Sequence, residues 1–350
     1  MKNLIFILLL LFLMSCGDDF ITTSNTAPGS VRDSEWLIPP SQVFDGGVGK
    51  DGIPSINQPE FNTPTDPEFL NPGALVVGIL DKGVAKAYPH FILDHHEIVN
   101  DNIGDNNFAI TYCPLTGTAV GWNRQVGNRL TTFGVSGKLY NTNLMPYDRE
   151  SDSYWSQLRL DCVNGSLVGS TINTVPIVET SWQTWRSSYP NSLLMNTNTG
   201  FSRNYGNFPY GDYKTNHNNI IFPVNNFDRR LPAKERVLTV ITEEESRAYS
   251  IELFDELKVI EDSIGTQRIL VVGSKNQNLM VAYDASDLTG FTPVSGELPV
   301  IARDDSGHSI TITGEIISGI KNGQQLAPME SIIGYFFAMA AFYPDIEIYQ

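Results

Sequence analysis

"VVGILDKGVAKAYPHFILDHHEIVNDNIG" (Val76–Gly104) lies over "VLTVITEEESRAYSIELFDELKVIEDSIG" (Val237–Gly265) without a gap, at a constant offset of 161 residues. Seven of the 29 positions are identical: Val76, Ala87, Tyr88, Asp94, Asp101, Ile103 and Gly104. About two would coincide by chance at average composition. Most other apolar positions stay apolar, and "FAITYC" (108–113) continues over "ILVVGS" (269–274). The chain therefore reads as a diverged internal repeat. Farther on, "PIVETSWQTWRSSYP" (176–190) aligns loosely with "PMESIIGYFFAMAAFYP" (328–344). Both read as a helix ending at Tyr-Pro, because proline cannot continue a helix. The second contains the apolar run Ile332–Tyr343. At twelve residues it is too short to span a bilayer, which takes ~20, so a buried helix is expected.

Between these helices the strand signal dominates. "ALVVGIL" (74–80) and "VAKAYP" (84–89) flank Asp81-Lys82-Gly83, a hairpin turn. "FAITYC" and "GTAVGWN" (117–123) are further strands, and "LTTFGVSGKLY" (130–140) reads as strand, Gly turn, strand. Pro89 opens a predicted helix over "PHFILDHHEIVN". The expected fold is β-rich α+β, with two diverged tandem repeats packed as a pseudo-symmetric pair. The first occupies 46–215 and carries the candidate site; the second, degenerate copy occupies 216–350.

The N-terminus stands apart. Lys2 precedes an unbroken apolar run, Leu4–Met14, too short for a transmembrane helix but suited to the core of a signal peptide over residues 1–15. "LMSC" resembles a lipobox, making Cys16 the lipidated first residue. Two or three acyl chains, at ~0.8 kcal/mol per CH₂, hold a protein on a membrane. Residues 16–45, rich in Ser, Thr, Pro and Gly, read as a flexible tether. The acidic "GDDF" after Cys16 resembles an export tag. The localisation expected is the bacterial cell envelope, as an outer membrane lipoprotein exposed at the cell surface.

The formal net charge is −16, and loss of Lys2 with the signal segment makes it −17. Such acidity opposes binding to nucleic acid or to an anionic membrane surface. With 41% hydrophobic and 18% charged residues the chain is globular, and some 335 mature residues exceed one comfortable core. Of three cysteines, Cys113 and Cys162 remain after lipidation. Whether they pair is left open by their spacing.

The repeat separates scaffold from site. Shared positions are expected to hold the fold, and polar positions found in one copy only are free to carry chemistry. His95 and His96 face Glu256 and Leu257, and Cys113 faces Ser274. Imidazole and thiolate make a soft-metal donor set, or a base and nucleophile. Neighbouring helical residues point about 100° apart, so His96, opposite an apolar residue, is favoured over His95. A third element, "FGVSGKLYNTNLMPYDRESDSYWSQL" (133–158), is dense in residues that make directed contacts: Tyr140, Asn141, Asn143, Asp148, Arg149 and Trp155. No G-x-S-x-G, G-x-G-x-x-G, Walker or H-E-x-x-H motif is present.

"DGIPSINQPEF", "AYPHFIL", "HEIVND", "TYCPLTGTAV", "FGVSGKLYNTNLMPYDRESDSYWSQ" and "FPVNNFDRRLPAKERVL" occur in that order. Together they resemble the bacterial family catalogued as domain of unknown function 3179, over roughly residues 50–345. The resemblance implies a secreted or envelope protein and brings no settled activity with it. Family members commonly read C-P-L-C-G where this chain has Cys113-Pro114-Leu115-Thr116-Gly117, so a dithiol mechanism does not carry over.

Three functions stand open at this point. One is a soft-metal site, copper or zinc, using Cys113 and His96 with His95 or Met145. Another is an enzyme with Cys113 as nucleophile and His96 as base. The third is a module that binds a small polar ligand or glycan through Tyr140, Asn141, Asn143, Asp148, Arg149 and Trp155. The membrane, through the lipid, is the other expected partner.

Overall fold

The computed structural model describes residues 35–63 and 70–350. The signal segment, Cys16 and the tether as far as residue 34 lie outside the described residues.

The first half opens with three short strands, β1 (Val43–Asp45), β2 (Ile56–Asn57) and β3 (Phe61–Asn62). The hairpin β4 (Leu75–Asp81) and β5 (Val84–Pro89) follows. Its loop residues Lys82 and Gly83 both take positive φ, 48° and 79°, the turn geometry whose twist matches paired strands. Pro89 stands before α1 (His90–His96), which stops after seven residues because Glu97 adopts φ 58° and donates its N–H to Leu93 O at 2.8 Å. The predicted helix through Asn100 is thus cut short. β-Branched Ile98 and Val99 begin β6 (Ile98–Ile103) instead, followed by β7 (Asn106–Cys113) and β8 (Thr118–Asn123).

A small ribbon, β9 (Gln125–Val126) and β10 (Arg129–Leu130), leads to β11 (Phe133–Tyr140), β12 (Asn143–Asp148), β13 (Tyr154–Ser156) and β14 (Asp161–Asn164). β15 (Thr174–Val175), β16 (Val178–Ser181), α2 (Trp182–Ser188) and β17 (Leu193–Met195) complete the half. Three five-stranded sheets result, ordered β1-β11-β12-β13-β14, β15-β8-β7-β6-β2 and β16-β4-β5-β17-β3.

A connection over 196–235 leads to β18 (Arg236–Ile241) and β19 (Ser246–Ser250), then a 3-10 turn at Ile251–Leu253. Next come β20 (Lys258–Ile264), β21 (Gln267–Ser274), β22 (Leu279–Asp284) and a three-stranded sheet of β23 (Thr292–Pro293), β24 (Val300–Arg303) and β25 (Ser309–Thr311). The half closes with β26 (Ser331–Tyr335), α3 (Phe336–Phe342) and β27 (Glu347–Ile348). The sheet β26-β18-β19-β27 has the order of β16-β4-β5-β17, and in both the last strand runs parallel to its neighbour. β18 to β22 begin and end within two residues of β4 to β8 shifted by 161.

Contacts between the halves run both ways. Tyr335 N–H at the end of β26 donates to Thr116 O in the β7–β8 turn at 2.8 Å. Ser181 N–H at the end of β16 donates to Gln277 O in the β21–β22 turn at 3.0 Å; Thr116 and Gln277 are again 161 apart. The cores are shared in the same sense. One joins Trp122, Phe133 and Trp155 to Phe336–Ala340 of α3. Another joins Val76 and Trp185 to Leu270 and Val272.

The architecture is β-rich α+β, as expected, and several local readings change. Ile332–Tyr343 is not one helix: Ile332, Ile333 and Gly334 pair with β18, and the helix starts at Phe336. The same division, strand then helix, occurs at β16–α2. Residues 133–140 form one strand through Gly137, whose φ of 75° accompanies a register shift between Val135 and Lys138 rather than a turn. Regular structure starts well before Ala74. Residues 35–45 are docked rather than a free tether, with Leu37 N–H bonded to Val163 O at 2.9 Å, Ile38 buried and β1 paired to β11. Among the described residues no helix is long and apolar enough to cross a membrane.

Candidate functional site

α1 and the β7–β8 turn position the residues singled out for chemistry. The His96 ring is buried and both its nitrogens are engaged, Nδ1 with Pro54 O at 2.7 Å and Nε2 with Tyr205 OH at 2.6 Å. Burial lowers its pKa to about 4, against a bond to Pro54 that acts the other way, with Arg203 and His95 lowering it further. His95 points elsewhere, its Nε2 at 3.0 Å from Asn207 O. The Cys113 thiol is buried and donates weakly to Thr142 O at 3.7 Å. Burial, then the charge of Glu97, pushes its pKa up to about 11, which keeps it a thiol at neutral pH. Cys162 is a second free, buried thiol, so the two cysteines are not joined. Met145 is buried against Ile38 and Val163.

Both His96 nitrogens are committed to hydrogen bonds, and among the described residues no three His, Cys, Asp or Glu side chains gather in a metal-binding group. The geometry equally shows no hydrogen bond between Cys113 and His96 that would activate a nucleophile.

The polar residues of 133–158 are brought together with one another and with the backbone. Asn143 Nδ2 donates to Thr116 Oγ1 and Gln157 Oε1 at 2.9 and 2.7 Å inside a buried network. Asp148 accepts from Ser151 N–H and Trp155 Nε1 at 2.7 and 3.0 Å. Arg149 reaches Phe133 O at 2.9 Å and pairs with Asp51. Asn141 ties the halves, accepting from Asn225 N–H at 2.9 Å and donating to Ala341 O at 3.4 Å. Tyr140 packs edge-on against Phe342. These side chains are taken up largely by contacts within the chain, with Asn143 Oδ1 left buried and without a partner among the described residues.

A different group faces open space. A cleft of about 230 Å³ is lined by His90, Phe91 and Asp94 of α1, Tyr112 and Gly117 of the β7–β8 hairpin, Lys214 of the connection, and Arg236 and Tyr335 of the second half. α1 places His90 and Asp94 on one face, since residues four apart stack on a helix. Asp94 is 5% exposed; its Oδ2 meets Lys214 Nζ at 2.8 Å, and its buried Oδ1 has no hydrogen-bond partner among the described residues. His90 Nε2 comes within 3.0 Å of Glu179 Oε2, yet neither atom has the alignment of a hydrogen bond. Glu179 is also 3.6 Å from Arg236, whose guanidinium otherwise makes, among the described residues, a long 3.5 Å contact with Asn278 Oδ1. The phenols of Tyr112 and Tyr335 each feel Asp94, Glu179 and Arg236, with burial the largest cause of their raised pKa values; Tyr335 is pushed up to about 12. Gly117, at φ 62°, is needed here: a Cβ would touch the Tyr335 ring at 3.0 Å.

A roomier cleft of about 270 Å³ between β16 and β22 is less suited to a polar ligand. Its walls include Leu80, Val120, Leu238 and Ile333; of its two carboxyls, Glu179 and Glu330, the second already accepts the Thr174 hydroxyl at 2.9 Å.

The family model described as a protein of unknown function (DUF3179) matches residues 50–346. The chain belongs to this family. No curated protein and no solved structure matches the chain. The DUF3179 match takes in both halves and every lining residue of the polar cleft. It also takes in Thr116, whose hydroxyl is within 2.9 Å of both Thr118 Oγ1 and Asn143 Nδ2. In this DUF3179 chain the Thr116 hydroxyl is built into the buried network beneath the cleft turn.

Sequence reasoning passed over His90, Asp94, Lys214, Arg236 and Tyr335. One signal was present: His90 faces Ile251 in the other copy, the same contrast that drew attention to His96.

Proposed function

We propose that this protein binds a small polar ligand in the cleft between α1 and the start of β18. The observation that carries the reading is the unpartnered Asp94 Oδ1, on a buried side chain that lines a cleft shared with Lys214 and Arg236. Buried carboxylate oxygens are ordinarily satisfied, because leaving one bare costs about 1–3 kcal/mol or more. A ligand that donates to it recovers that cost on binding. The cleft volume lies below the range of about 300–1,000 Å³ typical of drug-sized ligands, which favours a metabolite of few heavy atoms.

The matching strand order, the 161-residue offset and the reciprocal turn contacts support two diverged tandem repeats forming a pseudo-symmetric pair, with the ligand site kept in one copy. The apolar run before Cys16 and the "LMSC" signature support a lipid-anchored envelope protein that presents this cleft at the membrane surface.

The test is a thermal-shift screen of the full chain against amino acids, hydroxy acids, sugars and inorganic phosphate. A ligand at 100 times its Kd adds about 2.7 kcal/mol, a shift of several degrees. At least one compound should produce it, and Asp94→Asn should abolish it. A flat response across the set would sink the reading.

A further inference from the structure

We infer that the ligand of the polar cleft is a small zwitterion with one carboxylate and one amino group, an amino acid or a close analogue. This rests on the binding reading above and narrows it to a chemical class.

The first reason is charge balance. Apart from His90, the acidic and basic side chains at the cleft and directly behind it are Asp94, Glu179, Lys214 and Arg236, two of each kind. A ligand of no net charge preserves that balance. A phosphate or dicarboxylate would leave negative charge uncompensated among buried groups, where charge is expensive unless paired.

The second reason is how the groups are used. Lys214 is spent on Asp94 Oδ2, leaving Oδ1 a buried acceptor that an ammonium N–H meets once the carboxyl turns toward the cleft. Arg236 is the underused donor. Its contacts, 3.6 Å to Glu179 and 3.5 Å to Asn278, are both longer than the 2.7–2.9 Å of a charge-assisted bond. A guanidinium in that condition matches a carboxylate, which it binds in two-point fashion. Asp94, Lys214, Arg236, Tyr112 and Tyr335 all line the same cleft.

The third reason is selectivity. A site with one bare acceptor and one bare donor penalises any ligand that satisfies only one of them. Acetate and methylamine each supply half of what the cleft asks for.

The experiment is isothermal titration of the full chain with glycine, L-alanine, L-serine and L-aspartate, against acetate, methylamine and inorganic phosphate. At least one amino acid should bind saturably, with acetate and methylamine each about 100-fold weaker or worse. Asp94→Asn and Arg236→Gln should each weaken amino-acid binding about 10- to 100-fold, the worth of one hydrogen bond to a charged group. Native circular dichroism and an unfolding midpoint within a few degrees of wild type for either variant separate loss of a contact from loss of fold. Equal binding of acetate or phosphate and the best amino acid, or amino-acid binding indifferent to both substitutions, overturns the inference. If no amino acid binds but a sugar, hydroxy acid or phosphate does so in an Asp94-dependent way, the zwitterion falls and the cleft stands. If nothing binds, both fall.

Discussion

At the 161-residue offset, the wall carrying His90, Leu93, Asp94, Tyr112 and Gly117 in the first half carries Ile251, Phe254, Asp255, Gly273 and Asn278 in the second. The second wall is closed by packing. The Phe254 ring lies over Gly273, where an added Cβ would sit 2.5 Å from it. In the first half the exchange is reversed, with the smaller Leu93 on the helix and Tyr112 on the strand, its ring 4.8 Å from His90. Asp94 and Asp255 are the same residue type at equivalent places, yet one is buried and the other exposed. The difference comes from outside the aligned stretches: the connection over 196–235 folds back on α1 and supplies Tyr205, Tyr210 and Lys214. The two stretches thus differ, one a packed wall and the other a polar cleft, in where ring and glycine sit and in the cover that only the first receives.

The scaffold itself provides the largest test. In each half a Tyr hydroxyl and a cation converge on one Asp: Lys86 and Tyr88 on Asp101 at 2.7 and 2.6 Å, Arg247 and Tyr249 on Asp262 at the same distances. The environments differ. Lys86 and Asp101 are buried, whereas Arg247 keeps an exposed second partner, Glu347. Asp101→Ala strands a buried ammonium and should cost about 3–5 kcal/mol. Asp262→Ala should cost about 1 kcal/mol, since Arg247 stays paired near the surface. Equal costs in urea unfolding would break the claim that the first half is the more deeply sealed.

How much of this was readable in advance depends on the kind of contact. The offset in sequence carries straight into strand order, because alternating apolar residues and turn signals such as Lys82-Gly83 are local. The site was less legible. The rule that shared positions hold the fold sorted Asp94 with the scaffold, since Asp255 matches it, and burial of one but not the other is set by Lys214, 120 residues away. The dense run from Tyr140 to Trp155 looked like a binding surface because a sequence shows how many polar groups there are, not whether they satisfy each other. His96 was visible as an inward residue, but its two hydrogen-bond partners come from Pro54 and Tyr205, far away in the chain.

The next contrast is at the end of α1, where Glu97 is buried and its counterpart Lys258 is exposed. Burial raises Glu97 to about 8 from 4.5, with Asp94 adding to it and the Tyr210 bond opposing. The folded state therefore holds a proton that the unfolded chain has lost, and stability falls as pH rises between about 4.5 and 8. His96 works oppositely. Its folded value of about 4 lies below 6.5, so it costs stability as pH falls through that window. The two effects oppose each other below 6.5, leaving Glu97 alone to act from 6.5 to 8. Over that interval wild type should lose about 2 kcal/mol more than Glu97→Gln. Parallel stability profiles would remove Glu97 from the account.

The packing exchange gives a smaller effect. Gly273→Ala should cost about 1–3 kcal/mol by forcing the Phe254 ring aside. Combining it with Phe254→Leu, the residue type at 93, should return part of that loss. The coupling is read from a double-mutant cycle. Additive losses would mean that ring and glycine are not a unit and that the second wall is not closed in the way described.

The smallest expected effect isolates what the cover does to an aspartate. Asp255→Asn changes an exposed carboxyl and should move stability by no more than about 0.5 kcal/mol. Asp94→Asn alters a side chain that is 5% exposed and paired with Lys214 at 2.8 Å. Lys214 is itself partly exposed, so water can solvate it once the partner charge is gone. The amide keeps one acceptor for Lys214 but turns its NH₂ toward whatever met Oδ1. The stability cost of Asp94→Asn should therefore stay near 1 kcal/mol while ligand-induced stabilisation is lost. If Asp94→Asn instead unfolds the chain, the carboxylate belongs to the scaffold, as its shared place in the repeat would have it.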